Sequence, residues 1–222
     1  MTRPLLKICC IKSPLEARMA LDAGADFLGF VSEMPDGPGV VSLSEIRIMI
    51  KTLPPGIKSI LLTSKTLAGD IHNQRKSTGV WGVQIVDHIP KKELSNLRSL
   101  DPDLHIIQVV HIQSEASVAV ARGYYDLVDY LLLDSGLPDS GAPSLGGTGR
   151  THDWKISHRI CAESPIPVLL AGGINSSNVA AAFQGVSPSG VDLCSGLRTD
   201  DHLDTEKLEL FMNLFEALNL ST

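Results

Sequence analysis

Leu5-Leu6-Lys7-Ile8-Cys9-Cys10-Ile11-Lys12-Ser13-Pro14-Leu15-Glu16 is the stretch on which the fold turns. Its first half is an apolar run that reads as a buried strand, and its second half is a helix start. Ser13 is placed to cap, Pro14 suits the first helical position, and Glu16 stands where a capping-box glutamate belongs. Between the halves there is no glycine. An open, doubly wound sheet would be expected to carry a GxGxxG or Walker turn here, after its first strand. Seven more apolar runs follow, at 27–31, 59–63, 82–86, 105–112, 130–134, 167–171 and 190–194, after a first run at 5–11. Stretches of helical periodicity alternate with them. Continuous apolar runs are buried on both faces, and alternation with helices sets strands parallel. Eight such units without a glycine-rich first turn favour an α/β fold of the closed (β/α)8 TIM-barrel type, one domain over residues 1–222.

Composition limits what such a barrel does. The 222 residues are 43% hydrophobic, ample for a large core, and 19 basic against 25 acidic residues leave a formal net charge of -6. No basic field is available for a nucleic-acid backbone or an anionic membrane, so neither is expected as a partner. No apolar run approaches the roughly 20 residues of a membrane span, and the N-terminal stretch is too weakly apolar for a signal peptide, which points to a cytoplasmic protein. Cys9, Cys10, Cys161 and Cys194 lack metal-ligand spacing and are too few for a disulfide framework, and the seven histidines form no HxH or HExxH pattern. No metal is expected.

Further helix signals are Ser42-Leu43-Ser44-Glu45, a second capping box, and a stripe at Phe211, Leu214, Phe215 and Leu218 behind a cap at Asp204. Loops after barrel strands build active sites, and two stand out, at 33–41 and 135–151. The second holds Leu145-Gly146-Gly147-Thr148-Gly149-Arg150 ahead of a helix start near Trp154, a pattern whose backbone N–H groups suit an anion. Gly172-Gly173 after the seventh run and Ser195-Gly196 after the eighth extend that rim, making Gly147, Thr148, Gly172, Gly173, Ser195 and Gly196 candidate phosphate binders. Cys9 and Asp134 lie toward the C-terminal ends of the first and sixth runs, which face each other across a closed barrel, as an acid and a base for proton transfer in a bound sugar would. Lys7 and Asp192 fall on one face of neighbouring strands and form a candidate buried pair.

Lys7-Ile8-Cys9, Gly29-Phe30-Val31, Val83-Gln84, Leu133-Asp134, Gly146-Gly147-Thr148-Gly149 with Asp153-Trp154, Ala171-Gly172-Gly173-Ile174 and Val191-Asp192 with Ser195-Gly196 occur in an order and spacing that resemble the phosphoribosylanthranilate isomerase family of tryptophan biosynthesis along nearly the whole chain. The resemblance implies an Amadori rearrangement of an N-(5-phosphoribosyl) aryl amine to a 1-amino-1-deoxyribulose 5-phosphate. It implies no cofactor, a small phosphorylated sugar amine as the partner, and a monomer or homodimer. By position Asp134 matches the family's general acid and Cys9 its general base. The chain also departs from the family. Cys10 stands for a glycine, Lys12 for a threonine, Gly39 for the arginine that holds the anthranilate carboxylate, and Arg198 for an acid. These departures cast Arg198, Lys12 and Arg150 as the cations that meet the aglycone, and Gly39→Arg as a change that improves turnover of phosphoribosylanthranilate. An isomerase for a different phosphoribosyl amine and a non-catalytic barrel that binds a phosphate ligand are the alternatives.

Overall fold

The computed structural model describes residues 3–34, 38–135 and 154–218. Among these, eight parallel strands pair in chain order: β1 (Leu5–Ile8), β2 (Phe27–Val31), β3 (Lys58–Thr63), β4 (Gly82–Ile85), β5 (His105–Ile112), β6 (Tyr130–Ser135), β7 (Val168–Leu170) and β8 (Gly190–Leu193). β8 returns to β1 and closes the barrel, with Leu6 opposite Val191 and Lys7 opposite Asp192. Around it run α1 (Pro14–Asp22), α2 (Leu43–Thr52), α3 (Ala68–Thr78), α4 (Lys91–Leu100), α5 (Ala116–Arg122), α6 (Trp154–Glu163), α7 (Val179–Val186) and α8 (Thr205–Ala217). A 3-10 turn, Ser195–Leu197, and a short antiparallel pair, β9 (Arg198–Thr199) and β10 (His202–Leu203), follow β8. None of the described helices is long and apolar enough to cross a membrane.

The apolar runs close this way because each strand has two faces to bury. One phase, including Leu6, Leu28, Phe30, Leu61, Val83, Leu131 and Val191, packs outward under the helices. The other, with Phe27, Ile60, Ile107, Leu132 and Leu169, fills the barrel interior. Fully burying a side chain of this size contributes about 1.5–3 kcal/mol, so both phases are needed to offset the ordering of the chain. The interior phase turns polar in places, at Lys7, Gln84 and Asp134, and that change of chemistry marks the site.

Three local expectations meet a different outcome. β1 stops at Ile8 rather than at residue 11, because Cys10 lies in the left-handed region at φ 63°, which ends an extended run. At α1 the Ser13 hydroxyl accepts the Glu16 N–H at 3.1 Å as a cap should, but the Glu16 carboxylate does not close the box. It accepts instead from the Lys12 N–H at 2.9 Å and from Arg198, a stronger, charged partner. The Ser42 box forms in full. On α8 the buried stripe is Leu208, Phe211 and Phe215, spaced i, i+3 and i+7, which leaves Leu214 40% exposed on the flank.

Candidate active site

The C-terminal ends of the strands surround a cavity open to solvent. Cys9, Asp134, Gly172, Gly173, Asp192 and Ser195, all singled out in the sequence, line it, and so do Gln84 and His111.

Cys9 follows β1 directly and is tied to the closing seam, its N–H donating to the Leu193 carbonyl at 2.8 Å. It is 4% exposed. Two residues earlier, on the same face, Lys7 is fully buried with its Nζ 2.9 Å from Asp192 Oδ1, the pair expected from the register. β2 makes room with Gly29, where a Cβ would lie 2.9 Å from Cys9 Sγ and 3.0 Å from Lys7 Nζ. Burial alone would pull the Lys7 ammonium down, but the facing Asp192 carboxylate, helped by Cys9, raises it above its ordinary value, so the lysine stays charged. The Cys9 thiol is lowered. Its hydrogen bond with the Cys10 side chain is the largest cause, burial opposes it, and the Lys7 charge adds to the lowering.

Asp134 is the mirror case. It sits at the end of β6, 8% exposed, and burial raises its carboxyl above the ordinary carboxylate range against the opposing pull of His111 and Ser135. Its Oδ1 accepts the Ser135 N–H at 2.8 Å, which orients the group. Gly172, at φ 80°, lies directly against it. A Cβ there would come within 2.6 Å of the Ser135 nitrogen and 2.9 Å of Asp134 Oδ1, so a side chain at 172 would displace the acid.

The glycine rim expected to bind phosphate is described in part. Gly172 and Gly173 have φ 80° and 71°, and with Ser195 they line the cavity; Gly196 stands beside them in the 3-10 turn. The Gly173 carbonyl accepts from the side-chain amides of Asn175 and Asn178 at 3.0 and 2.9 Å. Across a trans peptide this points the Ile174 N–H the opposite way, and Ile174 is part of the cavity wall. Gly147, Thr148 and Arg150 lie outside the described residues.

Arg198 and Lys12 are not where an aglycone contact requires them. Arg198 is buried in the corner between β1 and α1, bonded to both Glu16 carboxylate oxygens at 3.0 Å, to the Asp201 carbonyl at 3.0 Å and to the carbonyls of Cys9 and Cys10. Lys12 is bonded to the carboxylate and carbonyl of Asp201. Neither lines the cavity. Both cations are drawn to nearby oxygen acceptors that position in the sequence does not reveal, since Glu16 and Arg198 are far apart along the chain.

Two polar cavity residues, Gln84 and His111, were given no role from the sequence. Gln84, 4% exposed, has its Oε1 without a partner among the described residues. His111 pairs in register with Asp134, its Nε2 lies 3.0 Å from the Val86 carbonyl, and its buried Nδ1 has no partner among the described residues. Their signal was phase: each is a polar residue on the inward face of an otherwise apolar strand.

The sequence profile described as N-(5'phosphoribosyl)anthranilate (PRA) isomerase matches residues 6–214. N-(5'-phosphoribosyl)anthranilate isomerase of Gloeothece citriformis is 36% identical over 94% of this chain and 93% of its own. The enzyme of the same name from Nostoc punctiforme is 36% identical over 96% and 97%. Among solved structures, phosphoribosyl anthranilate isomerase from Thermococcus kodakaraensis superposes with a TM-score of 0.78 at 27% identity, over 95% of this chain and 98% of that one. With a closed barrel, a thiol and a carboxyl facing one cavity, and relatives alike over almost their full length, the chain belongs to the N-(5'-phosphoribosyl)anthranilate isomerase family.

Proposed function

We infer that this protein isomerises N-(5'-phosphoribosyl)anthranilate, a step of tryptophan biosynthesis, in the cytoplasm. The observation that carries the reading is the pairing, in one cavity, of a carboxyl that burial raises above its ordinary value with a thiol lowered below its own. An Amadori rearrangement needs that combination. Asp134 gives its proton to the ribose ring oxygen as the C1–O bond breaks, and the nitrogen lone pair closes a C1=N bond. The Cys9 thiolate then takes the C2 proton, and the C2–H electrons form a C1=C2 double bond while the iminium nitrogen becomes neutral. Gain of a proton at C1 and loss of one from the C2 hydroxyl complete the ketose. No redox partner enters the balance.

The phosphate is assigned to the rim formed by Gly172-Gly173 and Ser195-Gly196, with Gly147-Thr148 from the loop after β6, where backbone N–H groups meet an anion. The Lys7–Asp192 pair sits beneath the reacting carbons and keeps a positive charge beside Cys9. The test is direct. Purified protein added to freshly made phosphoribosylanthranilate should accelerate the loss of its fluorescence, and exhaustive treatment with EDTA should leave that rate unchanged because the acid and base are protein groups. No acceleration at micromolar enzyme would sink the reading.

A further inference from the structure

We propose that Cys10 is a positioning residue for Cys9: its Sγ–H donates to the Cys9 sulfur, so that Cys9, among the three thiols gathered at the cavity, is the one that acts as base. The proposal rests on the reading of Cys9 as the base and extends it to a neighbour that touches no reacting atom.

Four observations converge on this side chain. Cys10 holds φ 63°, a left-handed conformation in which any residue bearing a Cβ is strained. Strain of this kind persists only where the surroundings over-determine it, and it gathers at functional sites. Here the surroundings are visible: Arg198 bonds the carbonyls of both Cys9 and Cys10 while its own position is set by the buried Glu16 carboxylate. The third observation is placement. Cys10 is 3% exposed and lines the cavity together with Cys9 and Cys194, so three thiols meet in one place. The last comes from the loop after β2. A Cβ on Gly39 would stand 3.0 Å from Cys10 Cβ and 3.3 Å from its carbonyl oxygen, and Gly39 has φ 71°, so that loop leaves residue 39 bare and gives the space to Cys10. Gly39→Arg, expected from the sequence to improve turnover, therefore collides with Cys10 first.

The chemistry explains why a thiol suits this place. Two adjacent buried sulfurs cannot both ionise, since like charges in contact repel. The one beside the Lys7 ammonium ionises, and the other keeps its proton and donates it; the contacts with Cys194 and Cys9 and burial push the Cys10 thiol well above its ordinary value. Serine at 10 keeps a donor, alanine removes it, and glycine removes it while also relieving the backbone.

Wild type, Cys10→Ser, Cys10→Ala and Cys10→Gly are to be alkylated with iodoacetamide across a pH series, with modification at Cys9 resolved from residue 10 by peptide fragmentation. A hydrogen bond to a charged group corresponds to about tenfold or more in such an equilibrium. In the Ala and Gly variants the Cys9 profile should move to higher pH, with about tenfold slower modification at neutral pH, and the acid limb of kcat/KM for phosphoribosylanthranilate should move with it while KM changes little. The Ser variant should stay near wild type, and the Gly variant should melt at or above the wild-type temperature. A Cys9 profile unmoved in both the Ala and Gly variants, or moved equally by Ser, would show that Cys10 is packing alone. Alkylation needs no substrate, so it decides the role of Cys10 even if the isomerase assay fails.

Discussion

Cys9 and Asp134 are both buried, and burial raises any group that ionises to an anion, so their different roles come from their partners. Asp134 gains only a partial offset from His111 and Ser135 and is left raised; Cys9 has a thiol donor and an ammonium and is lowered. The proposed mechanism uses Cys9 deprotonated and Asp134 protonated. A plot of kcat/KM against pH should be bell-shaped, falling on the acid side as Cys9 takes up its proton and on the alkaline side as Asp134 loses one, and the two limbs belong to the interacting set rather than to isolated groups. Asp134→Asn and Cys9→Ser should each lower kcat by about 100- to 10,000-fold with KM little changed. Steady-state kinetics check both; a loss below threefold at either position removes that residue from the proton transfer.

At the scale of elements, the joint between β1 and α1 is held by an ion pair rather than by the capping box its sequence resembles. Glu16 and Arg198 have side chains 7% and 5% exposed, and Glu16 also accepts the Leu203 N–H, so one carboxylate joins α1, the end of β1 and the β9–β10 pair. Burial opposes ionisation of Glu16, yet Arg198 and the Lys12 and Leu203 N–H groups hold it below the ordinary carboxylate range. A depressed folded value means that this stability is present above the unfolded carboxylate pKa and is lost as pH falls through the folded one. Glu16→Gln should cost about 3–5 kcal/mol at neutral pH, because it strands a buried guanidinium, and should flatten the acid limb of the stability curve. Arg198→Glu should fail in the same way, through like charges in the corner, and not through a lost aglycone contact. Replacing both by apolar residues should recover much of the loss. Urea melts between pH 3 and 7 check the series; a Gln variant as stable as wild type at pH 7 would refute it.

For the whole molecule, β7 and β8 bring the rim glycines together by closing onto β1, so ligand binding there is coupled to barrel closure. Anything that binds the folded state alone stabilises it by mass action, about 2.7 kcal/mol at a hundredfold excess over Kd. Inorganic phosphate should therefore raise Tm in a saturable way, and more than sodium chloride at equal ionic strength; equal shifts for both salts would remove the rim from phosphate binding. The Lys7–Asp192 pair joins the closing strands from inside. Lys7→Met should cost about 3–5 kcal/mol by leaving Asp192 unpaired, as differential scanning calorimetry would show.

Closure was legible in the chain itself: burying both phases of each apolar run requires a parallel sheet covered by helices, and eight such units without a glycine-rich first turn favour a closed sheet over an open one. The seam pair, Cys9, Asp134 and the Gly172-Gly173 rim were legible for a similar reason: each stands at the end of a recognisable strand, and strand ends share one rim. What position along the chain does not contain is distance between residues remote in sequence. Arg198 read as a cation free to meet a ligand, and only folding set it against Glu16, 182 residues away, in a buried contact at 3.0 Å. Cys10 likewise read only as a departure from the family's glycine. Its left-handed backbone, its contact with Cys194 and the bare Gly39 beside it exist only once β1, β8 and the loop after β2 converge, since backbone strain is sustained by tertiary packing and not by local sequence.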